Sequence, residues 1–249
     1  MKKLYEKSRL GFALLWIGLY CVLMSVGDSL SQVVGVEKAV TLPIAILLSA
    51  VLVLFIKKNG VDRKYGLCKS VVPVSKLIFY LPLLLLLTVN LWHGFALNLS
   101  VIEIVLYILT MLFVGLLEEV IFRGLLFEAM RKDSLKAAII VSSLTFGMGH
   151  IINLFNGSGA ELFSNLMQII YASASGFMLV AMYLKTESLV APITFHGIFN
   201  ALSVFSDEGA LTDTDRIISC VFITVISVLY GVYLMKSGKG ETNDNKTCE

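Results

Sequence analysis

Glu118, Glu119 and Arg123 interrupt a long apolar run between Leu99 and Met130. Two adjacent carboxylates deep in such a run are costly, because desolvation penalises the charged form and neither side chain reaches far from mid-segment. At about 100° per residue, Glu119 and Arg123 stand one helical turn apart on one face, where they can pair as a structural support. Glu118 is left on a neighbouring face, free to act as a general base. Two further apolar stretches carry histidine, in Phe146-Gly147-Met148-Gly149-His150 and in His196-Gly197-Ile198-Phe199-Asn200. His196 and Asn200 share a helix face at i, i+4. A lone histidine in an apolar helix is more often a satisfied structural residue than a ligand. Three polar clusters on three apolar segments together point to chemistry: Glu118 and His150 suit activation of water, and imidazole and carboxamide donors suit a developing oxyanion. Neither serine nor cysteine stands in these clusters as a nucleophile.

The elements that must position these groups are membrane helices. Hydrophobic residues make up 57% of 249 and charged residues 15%, with a mean hydropathy of +0.85, which excludes an ordinary soluble domain. Apolar runs predict eight spans, at about 10–26, 39–56, 74–92, 99–128, 136–152, 161–184, 187–205 and 215–235, with lengths that suit a bilayer. The expected fold is therefore an all-α polytopic bundle forming a single domain over 1–249. Its catalytic core runs over about 99–205, and a polar, disordered tail covers 236–249. Lys and Arg fall almost entirely on one side of this alternation: the N-terminal four, then Lys57, Lys58, Arg63, Lys64, Lys69 and Lys76, then Arg131, Lys132, Lys136, Lys185, Lys236, Lys239 and Lys246. The other side receives Lys38 and Arg216. The positive-inside rule makes both termini cytoplasmic.

Counted from the cytoplasmic helix ends, Glu118 lies about ten residues deep, His150 about fourteen and His196 about nine, a spread of roughly 8 Å at 1.5 Å per residue. The site is thus expected beneath the cytoplasmic surface, with water reaching it from that side. Gly115, Gly147, Gly149 and Gly197 flank the polar groups and leave room for a substrate or a close helix. His93 beside Trp92 reads as an interfacial residue. Glu103 receives no chemical role, and the small residues 172–176 read as a helix-packing stripe. The four cysteines lack metal-ligand spacing and read as lone thiols. A proton-coupled transporter is a rival reading of intramembrane acids and histidines, although no inverted repeat is present.

The three clusters, in order, resemble the motifs EExxxR, FxxxH and HxxxN of the CPBP intramembrane proteases, also called the CAAX protease and bacteriocin-processing or Abi family. The resemblance covers about 99–205. It implies hydrolysis of a peptide bond in a membrane-associated or lipid-anchored protein or peptide, with the lipid bilayer and no nucleic acid as partner. In that scheme Glu118, helped by His150, activates water, His196 and Asn200 stabilise the oxyanion, and Arg123 holds Glu119. The family has been described both as metalloproteases and as metal-independent glutamate-type enzymes. If Zn2+ is bound, Glu118, His150 and His196 are its ligands; the absence of HExxH argues only against the common helix-borne zinc motif. The resemblance also implies a location in a membrane, that of a bacterial cell for a bacterial member, where processing of a peptide leader or self-immunity stands beside prenyl-protein trimming. A non-catalytic scaffold of the same family is the alternative.

Overall fold

A computed structural model describes residues 1–73, 77–156 and 160–237. Among the described residues nine α-helices make up the bundle: α1 Lys2–Lys7, α2 Arg9–Val34, α3 Thr41–Lys58, α4 Leu77–Leu87, α5 Val101–Met130, α6 Leu135–Gly149, α7 Leu162–Thr186, α8 Val190–Leu202 and α9 Asp213–Lys236. No strand occurs among the described residues; a single antiparallel bridge joins Phe95 and Ser206. The chain is an all-α polytopic membrane bundle. Six helices, α2, α3, α5, α6 with its 3-10 extension to Leu154, α7 and α9, are long and apolar enough to cross a bilayer. Their outward leucines and valines, among them Val22, Leu54, Leu144, Val221 and Leu229, are exposed as lipid-facing residues should be.

The two remaining expected spans are short. Helix α4 carries Pro82, which lacks a backbone N–H and interrupts the ladder, and its apolar helical stretch is Tyr80–Leu91. Helix α8 with its 3-10 continuation runs Val190–Phe205. Both pack against neighbours rather than standing alone in lipid, which is how broken or short helices are tolerated at membrane depth. The eight-span count rests on these two. Residues 74–76, the start of the expected third span, and the tail from 238 lie outside the described residues.

Aromatic packing and loop hydrogen bonds gather the Lys/Arg-rich end. Tyr5 meets Phe12, Phe55 and Tyr65 edge-on at 5.4, 5.5 and 6.4 Å between ring centres. The 59–73 loop is tied onto the α7–α8 corner by Leu189 N–H to the Gly66 carbonyl at 2.7 Å and Val71 N–H to the Thr186 carbonyl at 3.0 Å. Glu128 accepts from the Tyr183 hydroxyl at 2.8 Å and pairs with Arg131 at 2.8 Å. At the opposite end, Ser31, Thr41, Asp28 and Lys38 clamp the α2–α3 turn. Burial works against the Lys38 ammonium, but Asp28 at 2.9 Å and Glu37 at 3.3 Å offset it and hold its pKa above the usual lysine value. Glu103 closes a capping box with Ser100 and accepts from Glu37 N–H at 3.1 Å, a structural duty consistent with no chemistry. Cys21 and Cys220 are free thiols, whereas Cys68 is disulfide-bonded, a correction to the reading of every cysteine as a lone thiol that spacing alone does not reveal.

Two glycine contacts bring the chemistry-bearing helices together. A Cβ on Gly115 of α5 would sit 2.6 Å from the Gly197 nitrogen of α8, and one on Gly147 of α6 would sit 2.7 Å from the Ser173 nitrogen of α7. These helices therefore touch backbone to backbone, and the small-residue stripe of α7 serves packing as expected. Gly115→Ala is expected to lower the melting temperature, because backbone cannot yield as a side-chain end can; overpacking of this kind costs about 1–3 kcal/mol. Gly149→Ala, where an added Cβ meets nothing within 4 Å, is expected to leave it unchanged or raise it. Differential scanning fluorimetry of the two variants checks the contrast.

Candidate active site

In the middle of α5 the α-helical repeat gives way to a π-helical segment, Val120–Phe127. Such widened turns often accompany functional sites, and this one begins directly after the two glutamates. The expected Glu119–Arg123 pair forms: Arg123 Nη1 donates to Glu119 Oε1 at 2.9 Å, and both side chains are fully buried. The guanidinium also donates to the Gly176 carbonyl of α7 at 3.3 Å and lies over the Phe146 ring of α6, 4.1 Å from its centre. One residue thus ties three helices together.

Glu119 does more than its sequence position suggests. His196 Nδ1 lies 2.8 Å from the same Oε1. A carboxylate held by arginine can only accept, so Nδ1 carries its proton and Nε2 is left facing the site. Glu119 is therefore a direct orienting partner of a site histidine, where the sequence reading made it only a structural support. Such outer partners fix the ring and its tautomer.

Glu118 and the remaining groups converge around Phe146. The Phe146 ring contacts the rings of His150 and His196 edge-on at 5.7 and 5.4 Å. Glu118 Oε2 lies 3.4 Å from His196 Nε2, within ion-pair range but too loosely aligned for a hydrogen bond, and it has no hydrogen-bond partner. Glu118 Oε1 accepts from the Tyr20 hydroxyl at 2.6 Å. His150 begins the 3-10 turn after α6, and its carbonyl is held by Asn165 Nδ2 of α7 at 2.8 Å. Asn200, one turn beyond His196 on α8, lines the same space with its carboxamide unpaired among the described residues. The structure thus gathers Glu118, His150, His196 and Asn200 in one place. Tyr20 and Asn165 carried no motif. A weak signal for Tyr20 exists, since Tyr20 and Asp28 lie two turns apart on one face of an otherwise apolar helix.

Glu118, His150 and Asn200 border a cavity of about 740 Å³, and His196 lines a smaller adjoining space that it shares with His150 and Asn200. Its wall carries Asp28, Asn90, Asn153, Gln168, Asn200 and Ser219, a polar surface unusual inside a membrane bundle. From Glu118 the cavity runs to Glu37, Lys38, Glu161 and Arg216, and among the described residues none of the Lys/Arg-rich loops borders it, whereas the sequence reading expects access from the side of the termini. Depth counted along helices gives a height for the site and not the end toward which the cavity runs; at the basic end Tyr5 packs against Tyr65. His93, expected at the membrane interface, lines the cavity and stands 3.5 Å from Asp215.

The zinc set expected from Glu118, His150 and His196 does not fit this geometry. Among the described residues no group of three His, Cys, Asp or Glu side chains is arranged to hold a metal ion.

Residues 100–202 match a family model described as type II CAAX prenyl endopeptidase, Rce1-like. The match takes in all three motifs and leaves α2, with Tyr20, outside it. No curated protein and no solved structure matches the chain.

Proposed function

We propose, from the match of residues 100–202 to the Rce1-like type II CAAX prenyl endopeptidase model, that the chain is an intramembrane endopeptidase using water activated by Glu118. The observation that carries this reading is the Glu118 carboxylate at the base of a polar cavity, with Oε1 engaged by Tyr20 and Oε2 unpartnered. Oε2 takes a proton from water as the water oxygen attacks the carbonyl carbon of the scissile peptide bond. The carbonyl π pair moves onto oxygen, where the Asn200 carboxamide is a donor and His196 donates through Nε2 when the ring carries a second proton beside the Nδ1–H held by Glu119. The proton held by Glu118 then passes to the amide nitrogen as the C–N bond breaks, giving a carboxylic acid and an amine. His150 stands beside this path as proton carrier.

The substrate is a segment of a membrane-associated or lipid-anchored protein or peptide that enters from the Lys/Arg-poor end. The charge asymmetry makes that end the non-cytoplasmic one, with both termini inside and eight spans. A membrane-impermeant thiol reagent on intact cells is expected to label a Glu37→Cys reporter directly and an Arg63→Cys reporter only after permeabilisation. The reverse pattern overturns the orientation and returns the cavity to the cytoplasm.

The reading itself is tested by single-turnover cleavage of membrane-delivered peptides by the purified chain, alongside a Glu118→Gln variant and a chelator arm. Cleavage by the wild type that is lost in Glu118→Gln and unaffected by chelation supports it. Peptide binding without cleavage favours the scaffold, and activity lost on chelation assigns a metal-dependent mechanism.

A further inference from the structure

We propose that Tyr20, on a helix outside the Rce1-like segment, is a positioning residue that selects which oxygen of Glu118 serves as the base; the inference rests on the proteolytic reading above. Its hydroxyl is buried and donates to Glu118 Oε1 at 2.6 Å, the length of a charge-assisted O–H···O⁻ bond. A terminal carboxylate rotates over a broad torsional well, and in an apolar helix both oxygens would otherwise compete for His196 and for water. With Oε1 engaged, Oε2 is the oxygen that keeps free acceptor capacity, and it is the one that stands 3.4 Å from His196 Nε2.

The rest of α2 is built to hold the phenol in place. One turn above it, Met24 is buried against the bundle. At the end of the helix, Asp28 accepts from the Thr41 hydroxyl at 2.7 Å and Ser31 donates to the Gly27 carbonyl at 2.8 Å beside Thr41. The helix start is capped by Ser8, whose side chain accepts from Gly11 N–H at 3.0 Å. Gly27 lies against Thr41, where an added Cβ would sit 3.0 Å from its Cα, so α2 is locked to α3 and α3 packs on α5. The Glu118 carboxylate is thus held from two sides: Tyr20 of α2 takes one oxygen, and His196, oriented by Glu119, faces the other. The catalytic carboxylate is completed by a helix that no family motif covers.

The test compares wild type, Tyr20→Phe, Glu118→Ala and the double variant as purified full chains in nanodiscs, by single-turnover cleavage and by thermal unfolding. Tyr20→Phe keeps the ring and its packing and is expected to lower kcat ten- to a hundredfold at unchanged KM, the range for losing one hydrogen bond to a charged group. Its melting temperature is expected to fall relative to wild type, whereas the same change in the Glu118→Ala background leaves the melting temperature unaltered, because the hydroxyl acts through the carboxylate. Full kcat in Tyr20→Phe, or an equal thermal loss in both backgrounds, overturns the positioning role while leaving Glu118 as base. Absence of cleavage by wild type on every peptide overturns the proteolytic reading and the Tyr20 role with it.

Discussion

Glu118→Ala is expected to reduce single-turnover cleavage by about 10² to 10⁴, the range for loss of a general base, while the protein stays folded and still binds peptide. Its Oε2 lacks a hydrogen-bond partner in the resting site, so this side chain can be removed without stranding a second charge. His150→Ala is expected to lose turnover in the same range if its ring shares the proton path. His196→Ala and Asn200→Ala act on the other half of the reaction, and each is expected to cost about 10² to 10³ through the lost oxyanion donor. KM should move little in all four, because ground-state contacts along the cavity wall persist when transition-state contacts are removed. His196→Ala differs in one respect: it withdraws the Nδ1 partner of Glu119, so its melting temperature is also expected to fall. Retention of wild-type turnover in Glu118→Ala would remove the base from the mechanism and leave a binding scaffold.

Much of this site was legible because its residues sit at helical spacing within apolar runs. Glu119 and Arg123 at i, i+4 pair as their spacing predicts, and His196 and Asn200 share a face that does border the site. What helical spacing cannot give is the contact between helices. Tyr20 and Glu118 are 98 positions apart, and the bond between them depends on α2 packing beside the π-helical stretch of α5, whose departure from the α repeat no hydropathy pattern announces. Glu119 was assigned to support alone because the sequence shows its arginine and not the histidine that α8 brings to the same oxygen. The course of the cavity is illegible for a similar reason. Charge counting orients the helices, yet it does not show that Tyr5, Phe12, Phe55 and Tyr65, residues from separate elements that read individually as ordinary apolar positions, pack together at the basic end. Helix α4 is shorter than its apolar run, and composition does not register that Pro82 breaks the ladder within it.

Arg123→Ala is expected to be the most destabilising single change in the bundle. It leaves Glu119 fully buried and uncompensated, a loss of about 3 to 5 kcal/mol in soluble proteins, and it removes the guanidinium from the Gly176 carbonyl and the Phe146 face at the same time. Folded yield and melting temperature should both drop. Replacing the pair together separates support from chemistry. Glu119→Leu with Arg123→Met carries no buried charge, and exchanges of this kind are often neutral or stabilising, so the double variant is expected to recover the melting temperature. It is not expected to recover turnover, because His196 Nδ1 then has no carboxylate to fix its tautomer, and Nε2 loses its set orientation toward Glu118. Measured by thermal unfolding and single-turnover cleavage on the same preparations, a double variant that is both stable and fully active would confine Glu119 and Arg123 to a structural role. A double variant that is stable and slow makes the buried pair the support through which α5 orients the histidine of α8.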